Sequence, residues 1–467
     1  MRKWIFLAVL LGFSSQGRAF VQSREVLDQE AKAQFLQLHF FSQGRGMHLV
    51  PDFINLYGYF QKLGIGQKFL QQKIQGDWGF NVVDGRVVGL FNVPYKNMHV
   101  GVLGCVACHS GKAAGQFIPG LGNKNVDVLK VGQDAKLLQK LYLKFRLPIP
   151  RSEEYKKVSA NALEFAKTIS DESIANQTQG LVPVSFIRTW FYKQAGETWS
   201  KDMARGAVKV PALWGYEEKR EVGQFSDGFG NGKLPGWAIA VELTAGQSPE
   251  VAREYMKRVE EAEHLFSYFL PPKYPFPTDD NLILKGKMVF EKNCSGCHGS
   301  YQTDASGLPI YEAPKHIPLS VVRTDADRLK ANTQKFYTLV EENPLSEFLQ
   351  ANHYEPGYFA PRLVGIWSRF PYLHNASVPT LMDLLSPPNL RPTLFDLRDS
   401  GELESFDLKR VGLKLQSSSE VLLREAKKNR RSIYWTARAG QSNEGHDFGT
   451  ALSQAEKEAL IEYLKTL

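Results

Sequence analysis

Long apolar runs are absent from this sequence beyond its start. The one such run, Trp4 to Phe13, is too short to span a bilayer and no second follows, so no integral span is expected once it is removed. Clusters of one charge are missing too. The 57 lysines and arginines are scattered among 49 acids, which argues against nucleic-acid binding. The chain also lacks a phosphate loop: Gly120-Leu121-Gly122-Asn123 is glycine-rich but has neither the preceding strand nor the spacing. Disorder is not indicated at 43% hydrophobic residues over 467 positions, enough for two or three cores. Cysteine is scarce, with four in all. Two disulfides, one zinc site or a pair of thioredoxin-like dithiols are the ordinary uses of such a set.

All four cysteines fall in two stretches of one pattern, Cys105-Val106-Ala107-Cys108-His109 and Cys294-Ser295-Gly296-Cys297-His298. C-x-x-C-H is the c-type haem attachment pattern. Two thiols three positions apart add to the porphyrin vinyl groups, and the adjacent imidazole reaches under the ring to the iron. The histidine decides the reading, because a zinc site does not require His after both second cysteines, and a dithiol enzyme needs one motif in a strand-turn-helix setting. Two covalently bound haem c groups are therefore expected, with His109 and His298 as proximal ligands. Glycine-rich 120–123 then reads as backbone passing close to a porphyrin.

Arg2 and Lys3, the run to Phe13 and the small and polar residues to Ala19 have the zones of a secretory signal. Export fits c-type attachment, which takes place outside the bacterial cytoplasm, and a Gram-negative periplasm is the expected address. The formal charge of +8 becomes +5 when Arg2, Lys3 and Arg18 leave with the signal, a mild basicity that suits an acidic redox partner.

Helical spacing marks 23–41 and a stretch around 52–63, and 127–194 reads as mostly helical. Around Arg86 to Phe91 the pattern is β-like, with Asp84-Gly85 as a turn. Ser248-Pro249 opens a helix toward Leu270, and the prolines at 271–277 mark a boundary. Three units follow: a signal at 1–19, an N-terminal haem domain with a helical insertion at 20–275, and a C-terminal cytochrome c domain at 276–467. In the last, Gly286 and Phe290 sit four apart before Cys294, and Ser453 with Glu456 reads as a capping box opening a helix with Leu460, Leu464 and Leu467 on one face. An internal repeat links the halves. Each has a haem motif, then Pro211-Ala212-Leu213-Trp214-Gly215 or Pro361-Arg362-Leu363-Val364-Gly365, then an aromatic in a polar turn, Gln224-Phe225-Ser226-Asp227 or Pro371-Tyr372-Leu373-His374.

These motifs, Phe359 to Leu385 with its Gly365-Ile366-Trp367 and His374-Asn375-Ala376, and the tail Gly445-His446-Asp447-Phe448-Gly449-Thr450 resemble the di-haem cytochrome c peroxidase superfamily, most closely its rubber-oxygenase-like branch. The resemblance implies a mainly α fold, two class I cytochrome c-like haem domains with long loops and a few short strands. It implies electron transfer between haems, a small redox protein or cytochrome as electron partner, and peroxide or dioxygen at an iron with an open position. Two positions depart from the pattern. Ala376 stands where glycine usually follows His-Asn, and Phe225-Ser226-Asp227-Gly228 replaces a Phe-Trp-Asp-Gly turn, which leaves Trp214 as a substitute inter-haem aromatic. His446, on the loop before the last helix, is the expected sixth ligand of the second haem, with His374 and Met382 as alternatives. His39 and His48 are remote axial candidates, Met98 and His99 lie too close to Cys105 to reach the opposite ring face readily, and the first haem is left without a matched sixth ligand. Glu242 and Asp227 are the carboxylates considered for proton handling there. A non-catalytic electron carrier with both irons six-coordinate is the alternative.

Overall fold

The computed structural model describes residues 23–39, 41, 47–51, 72–144, 152–170, 178–183, 185–197, 204, 206–216, 226–230, 256–302, 310, 312, 314–343, 346, 353–415, 419–428 and 430–467. The expected signal, the helix around 52–63, Phe225 and Glu242 lie outside these residues. Among them, no helix is long and apolar enough to cross a membrane.

Ser23 caps the first helix, Arg24–Phe35, by accepting from the Val26 amide, and the helix buries Ala31 and Phe35. The expected helical region after 127 resolves into Val128–Lys144, Glu153–Ile169 and Ser185–Gln194. Of the helix expected up to Leu270, Met256–Phe266 is described.

The expectation of a mainly α fold is overturned. The described residues form fifteen short strands in seven small sheets, six of them two-stranded, interleaved with the helices. The physical reason lies in the turns. Asp84 and Gly85 both take positive φ and close Val82–Val83 onto Arg86–Val87, as a tight hairpin turn requires. Ala114 and Gly115 do the same for Ser110–Ala113 and Gln116–Pro119. Strands of two to six residues are too short for an alternating pattern to declare itself in sequence. The largest sheet orders His48–Pro51, Met98–Leu103 and Leu90–Tyr95, and its central strand leads straight into Cys105.

The second motif has an all-helical setting. Asp279 caps Asp280–Asn293, which runs into Cys294, and Ser295–His298 forms one further turn. That helix crosses Gln454–Leu464, whose Ser453–Glu456 capping box is complete. Gly286 marks the crossing: a Cβ there would stand 1.9 Å from the Ala459 carbonyl oxygen. Beside it the Phe290 ring lies 5.4 Å from Tyr463 and 5.6 Å from Tyr301. The largest apolar core joins Val106, Ala113 and Leu121 from the first half to Phe290, Trp367 and Leu460 from the second, so it runs across the boundary expected at 275.

Candidate haem site

Each attachment motif is one tight turn. The amides of Cys108 and His109 return to the Cys105 carbonyl at 3.2 and 2.9 Å, and those of Cys297 and His298 return to Cys294 at 3.1 and 3.0 Å. Within each turn both thiols come to one side. None of the four cysteines is in a disulfide, and all are half-buried. Burial pushes the Cys108 and Cys294 thiols up to about 11. Among the described residues no group of three or more His, Cys, Asp or Glu is gathered to hold a metal ion.

The two Pro-x-Leu-x-Gly segments explain the repeat. His109 Nδ1 donates to the Pro211 carbonyl at 3.0 Å, and His298 Nδ1 donates to the Pro361 carbonyl at 2.8 Å. A carbonyl only accepts, so each Nδ1 carries the proton and each Nε2 keeps its lone pair for an iron. Further bonds brace both segments against the chain just past its motif. The Leu213 amide donates to Gly120 at 2.8 Å and the Gly120 amide to His109 at 2.8 Å. In the second half the Leu363 amide donates to the Tyr301 hydroxyl at 2.5 Å, and Arg362 donates to the Ser300 carbonyl at 2.5 Å. Both segments close on a glycine of positive φ, Gly215 at 66° and Gly365 at 63°. They also touch each other, since the Trp214 indole donates to the carbonyl of Val364, its own counterpart in the repeat, at 2.9 Å.

One cavity of about 520 Å³ is lined by both motifs. The strip Leu121-Gly122-Asn123 forms part of its wall, and Gly122 is pressed on Val210, where a Cβ would stand 1.9 Å from the carbonyl oxygen. The wall is chiefly apolar. Its charged members are Lys124, Lys209, Arg362 and Arg369, with no carboxylate among the described residues that line it.

His446 and His298 face one another at 6.3 Å between ring centres. A metal–imidazole bond of about 2 Å on each side of one ion puts two ring centres roughly 6 Å apart, so the pair is spaced to share an iron. His446 takes a strained positive φ of 48° and is pinned by its amide to the Val322 carbonyl at 2.7 Å. Its Nδ1 is buried without a hydrogen-bond partner. Burial and the neighbouring His298 push its pKa down to about 4, which keeps it in the neutral form that ligates metal. Burial likewise lowers His298.

Of the alternatives, His374 lines the cavity but its Nε2 meets the Tyr358 hydroxyl at 3.2 Å, with the two rings stacked at 4.4 Å. Met382 is buried in the apolar core, away from the lining. His48 Nε2 donates to the Val158 carbonyl at 3.1 Å, Met98 packs in a separate core and His99 is exposed. His39 packs against Phe91. Trp214 is buried and lines the cavity.

Asp227 stands outside the lining. It is paired with Arg328 at 3.0 Å, both side chains 1% exposed, and accepts from the Asn332 amide at 2.9 Å. Burial alone would raise its pKa, but the Arg328 and Arg188 guanidiniums hold it below the ordinary carboxylate value. A carboxylate so fixed braces the fold and does not exchange protons with the cavity.

Sequence reasoning missed Met47. It lines the cavity and packs against the apolar cluster that holds Phe80, Leu103 and Ala107, and its carbonyl accepts the Leu103 amide at 2.8 Å. A lone methionine far from the motif carries no local signal. The strand pairing of His48–Pro51 with Met98–Leu103 brings it there.

Residues 357–396 match a family model described as RoxA-like, cytochrome c-like. The matched segment contains Pro361, which orients His298, together with Tyr358 and His374. The match and the two C-x-x-C-H motifs together support a haem-binding cytochrome with covalently held haem c. The chain is also similar to two uncharacterized proteins of Sinorhizobium fredii (strain NBRC 101917 / NGR234). It is 40% identical to y4iJ over 280 residues, 47% of this chain and 45% of that protein. It is 28% identical to y4iM over 292 residues, 55% of this chain and 64% of that protein. The chain therefore spans less than two thirds of either relative's length.

Proposed function

We propose that this protein is an exported di-haem c-type cytochrome of the cytochrome c peroxidase superfamily, with two centres of unequal work. Cys294, Cys297, His298 and His446 would hold the second haem, which would supply the site that takes in and stores electrons from a small redox protein. The first, on Cys105, Cys108 and His109, is the reactive centre. The observation that carries this reading is the 6.3 Å spacing of His298 and His446. An iron with both axial positions filled by histidine exchanges electrons without exchanging ligands, so chemistry that needs an open position falls to the first haem.

Haem supplies one-electron chemistry and, where a coordination position is open, activation of peroxide or dioxygen. The chain's own residues do the rest. Pro211 and Pro361 fix the tautomer and direction of the proximal imidazoles. The apolar wall lowers the local dielectric and excludes water. Trp214 joins the two repeat segments and lines the space between the motifs, which supports it as the inter-haem aromatic. The leader-like N-terminus supports a periplasmic address.

EPR of the ferric protein, with the haem count per chain, tests the reading. One high-spin and one low-spin signal, and cyanide binding to the high-spin iron alone, are expected. Two low-spin irons that ignore cyanide before and after half-reduction would replace it with the electron-carrier reading. One observation favours that second reading: Met47 is among the residues that line the cavity. In a carrier, Met47→Leu turns the first haem from low-spin to high-spin. In the reactive-centre reading the spin state is unchanged.

A further inference from the structure

Two lysines face the cavity, and no carboxylate meets them among the described residues that line it. Lys124 is 8% exposed; its ammonium donates to the Lys112 carbonyl at 2.7 Å and lies 3.6 Å from the centre of the Phe370 ring. Lys209 donates to the carbonyls of Arg369 and Pro371 at 2.7 and 2.9 Å. Both line the cavity, and the other charged residues described in its wall are the cations Arg362 and Arg369. Lysines elsewhere behave differently: Lys112 reaches Glu402 at 2.9 Å and Lys73 reaches Asp134 at 3.0 Å. An ammonium taken out of water without an anion is expensive. Burial pushes Lys124 down to about 7 and Lys209 well below its ordinary value, with Arg369 and Lys124 adding repulsion at Lys209. A wall with this charge is built for an anion.

Its position names the anion. Lys124 follows Asn123, whose amide donates to the Cys108 carbonyl at 2.7 Å and whose side chain donates to Ala107 at 3.2 Å. Lys209 lies two residues before Pro211, the acceptor of His109. Both lysines are thus anchored to the backbone that frames the first motif. We propose that Lys124 and Lys209 form a carboxylate-binding site in this cavity and receive the two propionates of the haem attached at Cys105 and Cys108. The assignment rests on the haem reading above. It adds a role for two residues that attachment itself does not need.

The test uses full-length protein matured in a host competent for c-type attachment, with Lys124→Gln, Lys209→Gln, the charge-keeping Lys209→Arg, and Lys112→Gln as control. Haem per chain is counted, each haem's midpoint is titrated, and the propionate bending bands are read by resonance Raman. Loss of a cation beside the propionates favours the ferric state. The expected result is a full haem count, displaced propionate bands and one midpoint moved to more negative potential. The oxidised-to-reduced ratio at the wild-type midpoint should change about tenfold, as for one unit charge about 12 Å away at an effective dielectric of about 20. Lys209→Arg should restore both readouts. Midpoints and bands equal to those of Lys112→Gln would overturn the proposal. So would a second pattern, in which added octanoate shifts the wild-type spectrum and the glutamine variants lose only that response, because the lysines would then serve a free carboxylate. Wild-type protein without covalent haem would overturn the haem reading itself. Where Lys124→Gln does not accumulate, the Lys209 pair decides alone.

Discussion

Cys105 leaves a strand and His109 enters a hairpin, whereas Cys294 ends a helix and His298 closes one further helical turn. The same five-residue device thus works in a β setting and in an α setting. What the settings share is small and specific: a proximal imidazole aimed by a proline carbonyl, and a Pro-x-Leu-x-Gly segment that closes on a left-handed glycine. What differs is the opposite side of the ring. The second half brings His446 to face His298, while the first half lines its space with Met47 and the lysines at 124 and 209. Attachment is therefore set locally by a motif and its brace. The use of each iron is set by whatever distant residues the surrounding fold delivers.

The largest effect separates the halves outright. Cys105→Ala with Cys108→Ala, and Cys294→Ala with Cys297→Ala, should each remove half of the covalent haem counted by pyridine haemochrome; a pair that leaves the count unchanged would remove that half from the comparison. Next, His446→Ala should turn the second haem from low-spin to high-spin and open it to cyanide, with the first haem's signal untouched. An unaltered low-spin signal would move the sixth ligand elsewhere.

Acid should then expose the joint between the repeats, where the Lys209 amide donates to the His374 carbonyl at 2.8 Å. Burial pushes the His374 pKa down to about 3 from an ordinary 6.5. Between those values the unfolded chain binds the extra proton, so stability is complete above about pH 6.5 and falls as pH drops toward 3. His374→Gln should flatten this slope in urea titrations across that range, and an unchanged slope would clear His374 of the effect.

Close backbone approaches give a smaller contrast. Gly286→Ala drives a methyl into the Ala459 carbonyl, and Gly122→Ala drives one into Val210. Each should cost about 1–3 kcal/mol in chemical denaturation, and a neutral change at either would mean that its pair of segments can part freely. The smallest effect belongs to the link between the repeats: Trp214→Phe leaves the Val364 carbonyl without its indole donor and should cost about 1 kcal/mol.

Much of the second half was legible in the sequence. Gly286 with Phe290, the Ser453–Glu456 capping box, and Leu460 and Leu464 of the last helix stand as expected, because helix periodicity, capping chemistry and the need for a small residue at a crossing are local signals. Leu467 lies past the helix end. The first half was less legible. A β-like pattern declared itself only around Arg86 to Phe91, whereas four small sheets stand among the described residues there, most of their strands too short to alternate visibly. Asp227 looked like a proton-handling group, until Arg328 and Asn332, about a hundred residues away, proved to hold it.

The sequence by itself determined where the two C-x-x-C-H motifs lie, which imidazole follows each pair of thiols, and that the halves repeat, since these are matters of spacing along the chain. Only the tertiary structure decided that Pro211 and Pro361 aim those imidazoles, that His446 stands opposite His298, and that Met47, Lys124 and Lys209 share one wall. These residues lie tens to more than a hundred positions from the motifs they serve. No short-range pattern encodes them, and hairpin pairing and helix crossing bring them together.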